Sequence, residues 1–346
     1  MAARSIYQIH ISGQDVSSRW RPVMLSLNVT LTDSETGSTA EIELDDQDAQ
    51  IGFPNIGDDV NILLGWEGFG GIADVFTGVI DEIRCVGSRQ SGAVMRISAK
   101  SVDTINKAKQ HGEKHVDKKK LKDAAKELSK DSDIDEVRVD DELAKIERDW
   151  WALQNESFIH WGTRIAKEIG ANFQVNGKTA SFTKAKGGKS ASGKQLTPIT
   201  ATYGVNMMSW EISPILGRPQ FHETQALYFD VDNAEYKKAS KKTKSKKSKA
   251  THTARKIQYD WDTADGQAQN DADSSDKNSG EGNVNIDGDQ MAQPGATCEI
   301  VGIRPGIDGS YLITSVSHTL SRGAGYMTSL ELKQPGQNTG SETRSG

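Results

Sequence analysis

The sequence of 346 residues lacks most features of a disulfide-stabilised, secreted or membrane-spanning protein. Its only two cysteines, Cys85 and Cys298, lie far apart and fit neither a disulfide framework nor a zinc-ligand spacing. No run of about 18 apolar residues is present, and the first ten residues, MAARSIYQIH, lack the apolar core of a signal peptide. We therefore expect two free thiols in a reducing cytosol, no membrane partner and no ordinary signal peptide.

The charge balance predicts no general affinity for nucleic acid. The formal net charge is −6. A composition of 26% charged and 35% hydrophobic residues is typical of a soluble protein with polar loops. The length predicts two or three domains, since one domain usually takes about 100–200 residues.

The first hundred residues predict short β-strands. In LSLNVTL, the residues Leu25, Leu27 and Val29 alternate with polar ones, which gives one buried face. The segments AEIELDD, DVNIL, VFTGVIDEI and VMRISA continue this pattern between Gly, Asn, Asp and Pro. Short strands at regular spacing predict a β-barrel or a sandwich over residues 1–105.

A small α/β insert is predicted over residues 106–190. The segments KKKLKDAAKELSK and ESFIHWGTRIAKEIG carry apolar residues at helical spacing, and Gly170 is expected to end the second helix. The segment ANFQVNGKTASF then predicts a hairpin with a tight turn at Asn176 and Gly177.

Strand patterns return in residues 191–236 and 290–335, which we expect to form a second β domain. Between them lie KKASKKTKSKKSK, with eight lysines, and an acidic stretch. Neither can bury enough apolar surface to offset the entropy of ordering it, so residues 237–289 predict mobile loops, lysine-rich and then acidic. Residues 336–346 predict a flexible tail.

The two β-rich regions resemble each other in the order of their turns and strands. Residues 57–62 match residues 295–300, and the strands that follow match in the same order. The repeat predicts two similar β domains in one chain. It aligns His318 with Glu82, so we expect His318 at a polar strand position.

The segment GIDGSYLITSVSHTLSRGAGYMTSLELK raises a catalytic question, because it places His318 in an alternating apolar stretch. The nearest carboxylates in the sequence are Asp308 and Glu331, and none stands at ligand spacing. Without a nucleophile or an orienting carboxylate nearby, a structural hairpin is favoured and no catalytic residue is predicted. The positions expected to act in the strand and hairpin are Val316, His318, Gly325 and Tyr326.

The segment DSDIDEVRVDDE imitates a calcium loop. It places Asp131, Asp133, Asp135 and Glu142 at positions 1, 3, 5 and 12, but Glu136 stands at position 6, where the sharp turn needs glycine. An acidic loop between two helices is the favoured interpretation. We therefore predict no metal and no cofactor.

The lysine block could bind phosphates, because clustered lysines release counterions from nucleic acid. It has no interleaved aromatic residues for base stacking, however, and the acidic stretch behind it can neutralise it. A self-neutralised or solvated interaction loop is favoured. Its residues include Lys241, Lys242, Lys244, Lys246 and Lys247.

Three stretches together resemble the phage late control D proteins. They are LSLNVTLTDSETGSTAEIELDDQDAQIGFPNIGDDVNILLGWEG with VFTGVIDEI, then WWALQNESFIHWGTRIAKEIGANFQVNGKTASF, and finally GIDGSYLITSVSHTLSRGAGYMTSLELK. The resemblance implies a mainly β fold with a small α/β insert, in which two tube-like β-barrel domains per chain form a pseudo-six-fold ring as a trimer. It implies a contractile-tail baseplate hub, related to the myophage hub and to the base of type VI secretion spikes. Such a hub adapts the six-fold tail tube to the three-fold spike.

The resemblance also implies the partners and the location. The partners are two further copies of the chain, the tail tube or a tube-initiator protein, the trimeric spike, baseplate wedge proteins and a tape measure protein. Assembly is expected in the host cytoplasm, followed by a place in the baseplate of a virion tail or a tailocin. No shared active site is implied, so we expect no enzyme. The alternatives left open are a tail-associated cell-wall hydrolase and a nucleic-acid-binding module that uses the lysine block.

Overall fold

In the computed structural model of the chain, the described residues are 4–32, 37–68, 70–89, 92–101, 110–176, 178–184, 196–214, 221–231, 233–244, 248–258 and 260–333. The helices are α1 (Ser17–Trp20), α2 (Leu121–Leu128), α3 (Phe158–Ile169) and α4 (Trp261–Lys277). The strands up to the middle of the chain are β1 (Ser5–Ile11), β2 (Gln14–Asp15), β3 (Met24–Thr32), β4 (Thr39–Asp45), β5 (Asp59–Trp66), β6 (Gly71–Ser88), β7 (Gly92–Lys100), β8 (Gly112–Lys120), β9 (Glu136–Val139), β10 (Glu147–Glu156), β11 (Ala171–Asn176) and β12 (Thr179–Lys184). The later strands are β13 (Ile199–Thr202), β14 (Met207–Ser213), β15 (Glu223–Asp230), β16 (Glu235–Lys242), β17 (Thr251–Thr253), β18 (Glu281–Asp287), β19 (Thr297–Val301), β20 (Gly309–Ser321) and β21 (Gly325–Lys333).

A sheet of 13 strands joins the two β-rich regions. Its order is β14-β18-β21-β20-β3-β4-β7-β6-β5-β1-β2, and β19 adds β13 by pairing with both β13 and β20. The junction is the antiparallel pairing of β20 with β3, from Ser315↔Thr32 to Ser321↔Ser26. The mainly β class is confirmed, but the predicted pair of closed barrels is wrong, because the sheet does not close within the described residues. Alternation along a strand specifies its buried face and not whether the outermost strands of a sheet meet.

Two hydrophobic clusters lie on this sheet, one in each β region. Leu27 and Ile62 belong to the N-terminal cluster, and Val316 and Leu330 belong to the C-terminal one. Leu31 of β3 packs against both clusters. The two regions therefore share part of their core, and separating them would expose apolar surface.

The α/β insert has a core of its own. β8 pairs with β10, while β12 pairs with β11 and, in parallel, with β9. Both predicted helices are confirmed: α3 begins after Ser157, whose Oγ accepts a hydrogen bond from the His160 backbone N at 3.2 Å, and ends at Gly170 with φ of 68°. The buried aromatic residues of this core are Trp151, Phe158, Trp161, Phe173 and Phe182.

The mobile loops predicted for residues 237–289 are a second correction, because this segment contains most of β16 together with β17, α4 and β18. Helix α4 packs its Ala264 and Ala268 against Ala226 of β15 and Ala239 of β16. Methyl side chains allow a helix to approach a sheet closely but add little hydropathy. A core made of alanines therefore escapes an argument from composition.

Some predictions lie outside the described residues. They concern the turn residue Gly177, the lysines Lys246 and Lys247, and the tail of residues 336–346. The domain boundaries given above also stay predictions.

Candidate functional site in the closing hairpin and at the sheet edges

The closing hairpin, β20–β21, holds the two β regions together. β20 pairs with β3, and β21 pairs with β18. Val316 of β20 lies opposite Leu31 and Leu330 on its two neighbouring strands, and its side chain is completely buried. Gly325 begins β21 with φ of 76°, a left-handed conformation that favours glycine, at the turn of the hairpin.

His318 is completely buried within this hairpin. Its Nδ1 lies 3.0 Å from the Tyr326 hydroxyl and 3.2 Å from Oγ1 of Thr328. Burial lowers the pKa of His318 to about 4, and the backbone of Ala292 opposes this shift only in part. A neutral, enclosed imidazole with hydroxyl partners fits a structural contact and not general acid–base catalysis.

The sequence repeat is misleading at His318. Its aligned counterpart, Glu82 of β6, is exposed, whereas His318 is buried. The pairing of β6 with β7 shifts register between Ile80 and Glu82, and such a bulge turns the following side chains to the other face. In β20 the corresponding shift comes earlier, between Ile313 and Ser315.

Tyr326 connects the hairpin to the N-terminal cluster. Its ring centroid lies 5.6 Å from that of Trp66, and both residues pack in this cluster. The Trp66 Nε1 donates a hydrogen bond to the Gly288 carbonyl at 2.6 Å. The residue that follows β18, the closing hairpin and β5 therefore meet at one point.

The segment that imitates a calcium loop is not a loop, because β9 occupies its middle. Asp131 forms an ion pair with Lys114 at 3.0 Å, and Glu142 forms one with Lys184 at 2.5 Å. The described ranges contain no group of three or more His, Cys, Asp or Glu side chains placed to hold a metal ion.

The lysine block runs as a strand through Lys242, and part of it is neutralised within the chain. Nζ of Lys241 lies 2.8 Å from Oδ1 of Asp265 in α4. The backbone N of Lys244 donates a hydrogen bond to Oδ1 of Asp276 at 2.9 Å, near the end of the same helix. Lys242 is exposed. The acidic stretch thus contributes a helix that contacts Lys241 and the backbone of Lys244.

Both ends of the 13-stranded sheet have open edges. β14 pairs only with β18 among the described strands, and β1 meets β2 only at His10 and Ile11. Among the strands that the structure describes, residues 5–8 of β1 therefore have a partner on one side only.

Exposed apolar side chains lie on β14 and in the turn just before it. Tyr203, Val205, Met208 and Trp210 are exposed, Val205 by 77% and Trp210 by 39%. Trp210 lies directly opposite Val284, which is completely buried, so its indole stands on the core side of the sheet and is incompletely covered. We call these four side chains the apolar edge. Sequence reasoning missed this surface, although the run YGVNMMSW places apolar residues on more than one side of a short strand.

The buried Cys298 is not placed for thiol chemistry. Both are free, Cys298 is buried, and burial raises the pKa of its thiol to about 12. None of the helices in the described ranges has the length and apolar character needed to cross a membrane.

A mainly β chain with a joined core and open, partly apolar sheet edges has the geometry of a subunit of a larger assembly. The model of the phage tail baseplate hub (GPD) family matches residues 34–324, and the chain belongs to this family.

Individual relatives agree with this family. The chain is 28% identical to the probable baseplate hub protein of Escherichia phage P2 over an alignment of 200 residues. This alignment covers 57% of this chain and 49% of that protein. The chain thus spans about half the length of the curated relatives it matches.

Solved structures share the fold at low sequence identity. The tail protein from Neisseria meningitidis MC58 aligns with a TM-score of 0.69 and 16% identity, over 97% of this chain and 98% of that one. The Escherichia coli c3393 protein, a component of the type VI secretion system, aligns with a TM-score of 0.56 and 12% identity, over 97% of this chain and 79% of that one. Neither the hydrolase nor the nucleic-acid alternative receives support from these relatives.

Proposed function

We propose that this chain is the hub of a contractile-tail baseplate, in a phage or a phage-derived particle, and that it acts as a homotrimer. The observation that carries this proposal is the pair of open edges at opposite ends of one continuous sheet. Open edges carry unpaired backbone groups and invite pairing with another chain.

Head-to-tail assembly satisfies both edges at once. The apolar edge of one copy would meet residues 5–8 of β1 in the next copy, which would cover the exposed side of Trp210. A ring closes when each copy uses two different surfaces and the rotation between copies divides a full turn. Three copies with two β regions each would present six β regions to a six-fold tube and three chains to a three-fold spike.

The partners follow from that position in the tail. The tail tube or a tube-initiator protein would contact one side of the ring, and the trimeric spike would contact the other. Wedge proteins would surround the ring, and the tape measure protein would end at it. The chain shares its fold with a component of the type VI secretion system, which supports a place in an assembly of this kind. The role is structural and not enzymatic, and the protein would assemble in the host cytoplasm before it becomes part of the tail.

Substitution at the apolar edge tests the assembly. In a host that lacks the chromosomal copy, Trp210→Lys should reduce sedimentable tails at least tenfold while the protein stays soluble and folded, because a charge would enter the contact between copies. Val86→Lys is the matched control, since Val86 is an exposed apolar residue of β6 and lies on neither β14 nor β1. Wild-type numbers of tails that contain the Trp210→Lys protein would contradict edge-to-edge assembly.

A further inference from the structure

The three-stranded sheet β16-β15-β17 has one covered face and one open face. Helix α4 packs on the face that carries Ala226 and Ala239. Successive strand residues alternate between faces, so Leu227, Phe229 and the residues paired with them lie on the opposite side. The register pairs Phe229 with Tyr236 and Leu227 with Lys238. We call the face that carries Leu227, Phe229, Tyr236, Lys238 and Lys242 the open face. Glu223, which is paired with Lys242, lies on the same face.

An aromatic pair stands at one end of the open face. The rings of Phe229 and Tyr236 lie 5.2 Å apart in an edge-to-face arrangement, and they are exposed by 39% and 64%. Solvent-exposed aromatic side chains on the surface of a sheet often serve as anchors for a partner protein.

Strand alternation divides the lysines of β16 into two groups. Lys237 and Lys241 lie on the α4 side, where they form ion pairs with Asp230 at 2.5 Å and with Asp265 at 2.8 Å. Lys238 and Lys242 lie on the open face and are exposed. Neither forms an ion pair with another residue in the part of the chain that the structure describes. Of the four lysines of β16, the two without a described ion pair therefore lie on the open face, where Glu223 stands opposite Lys242 and offsets part of their charge.

β16 also offers backbone hydrogen-bonding groups. It has eight residues and pairs only with β15 among the described strands, so its outer edge is unpaired. An extended peptide can add to such an edge by main-chain hydrogen bonds, while its alternate side chains contact one face of the sheet. Lysines on an edge strand also prevent aggregation, but that role does not require an exposed aromatic pair beside them.

We infer that the open face docks an extended acidic segment of a neighbouring baseplate protein. The segment would pair with β16, place carboxylates beside Lys238 and Lys242, and cover Phe229 and Tyr236 with an apolar side chain. A different protein is favoured over a second copy, because the acidic stretch of this chain forms helix α4, which is not extended and already packs against the sheet. Naming the partner as a baseplate protein rests on the proposed hub function, whereas the preference for acidic extended peptides does not.

Binding to the isolated full chain tests the chemistry of the face. The probe is a fluorescent peptide with alternating glutamate and isoleucine, and the comparison peptide has lysine in place of glutamate. We expect the acidic peptide alone to bind, with an affinity that falls as salt is added. The double variant Lys238→Glu/Lys242→Glu and the single variant Tyr236→Ser should each weaken binding at least tenfold. Lys122→Glu/Lys126→Glu, which changes two exposed lysines of α2 by the same charge, should bind like the wild type.

Equal binding by all variants, or no binding of the acidic peptide, would overturn the inference. Aggregation of the folded Lys238→Glu/Lys242→Glu protein without any peptide binding by the wild type would show that these lysines protect the edge instead. Because the peptide-binding experiment uses the isolated chain and no particles, a negative result there is distinct from a failure of the proposed hub function.

Crosslinking in particles tests the partner. A photoreactive benzoylphenylalanine in place of Tyr236 should crosslink to an acidic segment of another baseplate protein, identified by mass spectrometry. The same group at exposed Lys122 is the control and should not give that product. Products formed only between copies of this chain would contradict a heterologous partner.

Discussion

Gly288 lies directly against the ring of Tyr326, and a Cβ added to Gly288 would come within 2.1 Å of the Tyr326 Cδ1. The same glycine accepts the hydrogen bond from the Trp66 indole. Tyr326 cannot retreat without leaving the N-terminal cluster, and so position 288 requires glycine for reasons of space.

Gly288→Ala should therefore destabilise the protein by about 1–3 kcal/mol, the usual cost of overpacking a core. Urea unfolding of the purified variant measures this change. Gly323→Ala is the control, because a Cβ at Gly323 would meet no atom within 4 Å. An unchanged free energy of unfolding in Gly288→Ala would contradict the tight contact.

Val316→Asp should abolish tail assembly. The carboxylate would be buried between β3 and β21, at a cost of several kcal/mol. Ser310→Asp, at an exposed position of the same strand, should assemble normally. The readout is the number of sedimentable tails, and a normal yield from Val316→Asp would refute the buried placement.

The free energy of unfolding should decrease as the pH is lowered, because His318 is buried in its neutral form. Its pKa is about 4 in the folded state and about 6.5 in an unfolded chain, so the unfolded state binds the additional proton. The contribution is complete above about pH 6.5 and is lost as the pH falls towards 4, with about 2 kcal/mol lost by pH 5. His318→Gln should remove that part of the pH dependence of the free energy of unfolding. His115→Gln, at an exposed position, should retain it. Equal pH profiles for the wild type and His318→Gln would contradict a neutral buried imidazole.

Ala268→Leu tests whether residues 237–289 are packed. A larger side chain would force α4 away from Ala226 and Ala239, with an expected loss of about 1–3 kcal/mol. Gln269→Leu, at the neighbouring exposed position of the same helix, should have little effect on thermal unfolding. If the two variants unfolded alike, the alanine core would not contribute to stability.

The sequence predicted the elements whose signals are local. The helices α2 and α3, the helix end at Gly170 and the strands around Leu27 follow from spacing and from turn residues. Such signals need no information about distant parts of the chain.

The sequence did not predict what depends on contacts between distant residues. The pairing of β20 with β3 joins residues almost 300 positions apart and makes one sheet from two predicted barrels. The bulge after Ile80 leaves Glu82 exposed, although the aligned His318 is buried. A core of alanines orders the described part of residues 237–289, although their composition predicts loops. The apolar edge was not predicted, because the exposure of Trp210 follows only from the position of β14 at the end of the sheet.

The central claim is that this chain is the hub of a contractile tail, and its copy number in intact particles tests that claim most directly. The chain would be tagged in its native host, particle production induced, the tails sedimented, and the chain quantified by mass spectrometry against a tube subunit. The account predicts about three copies per particle, as a closed three-fold ring requires. Absence of the chain from intact tails would contradict it.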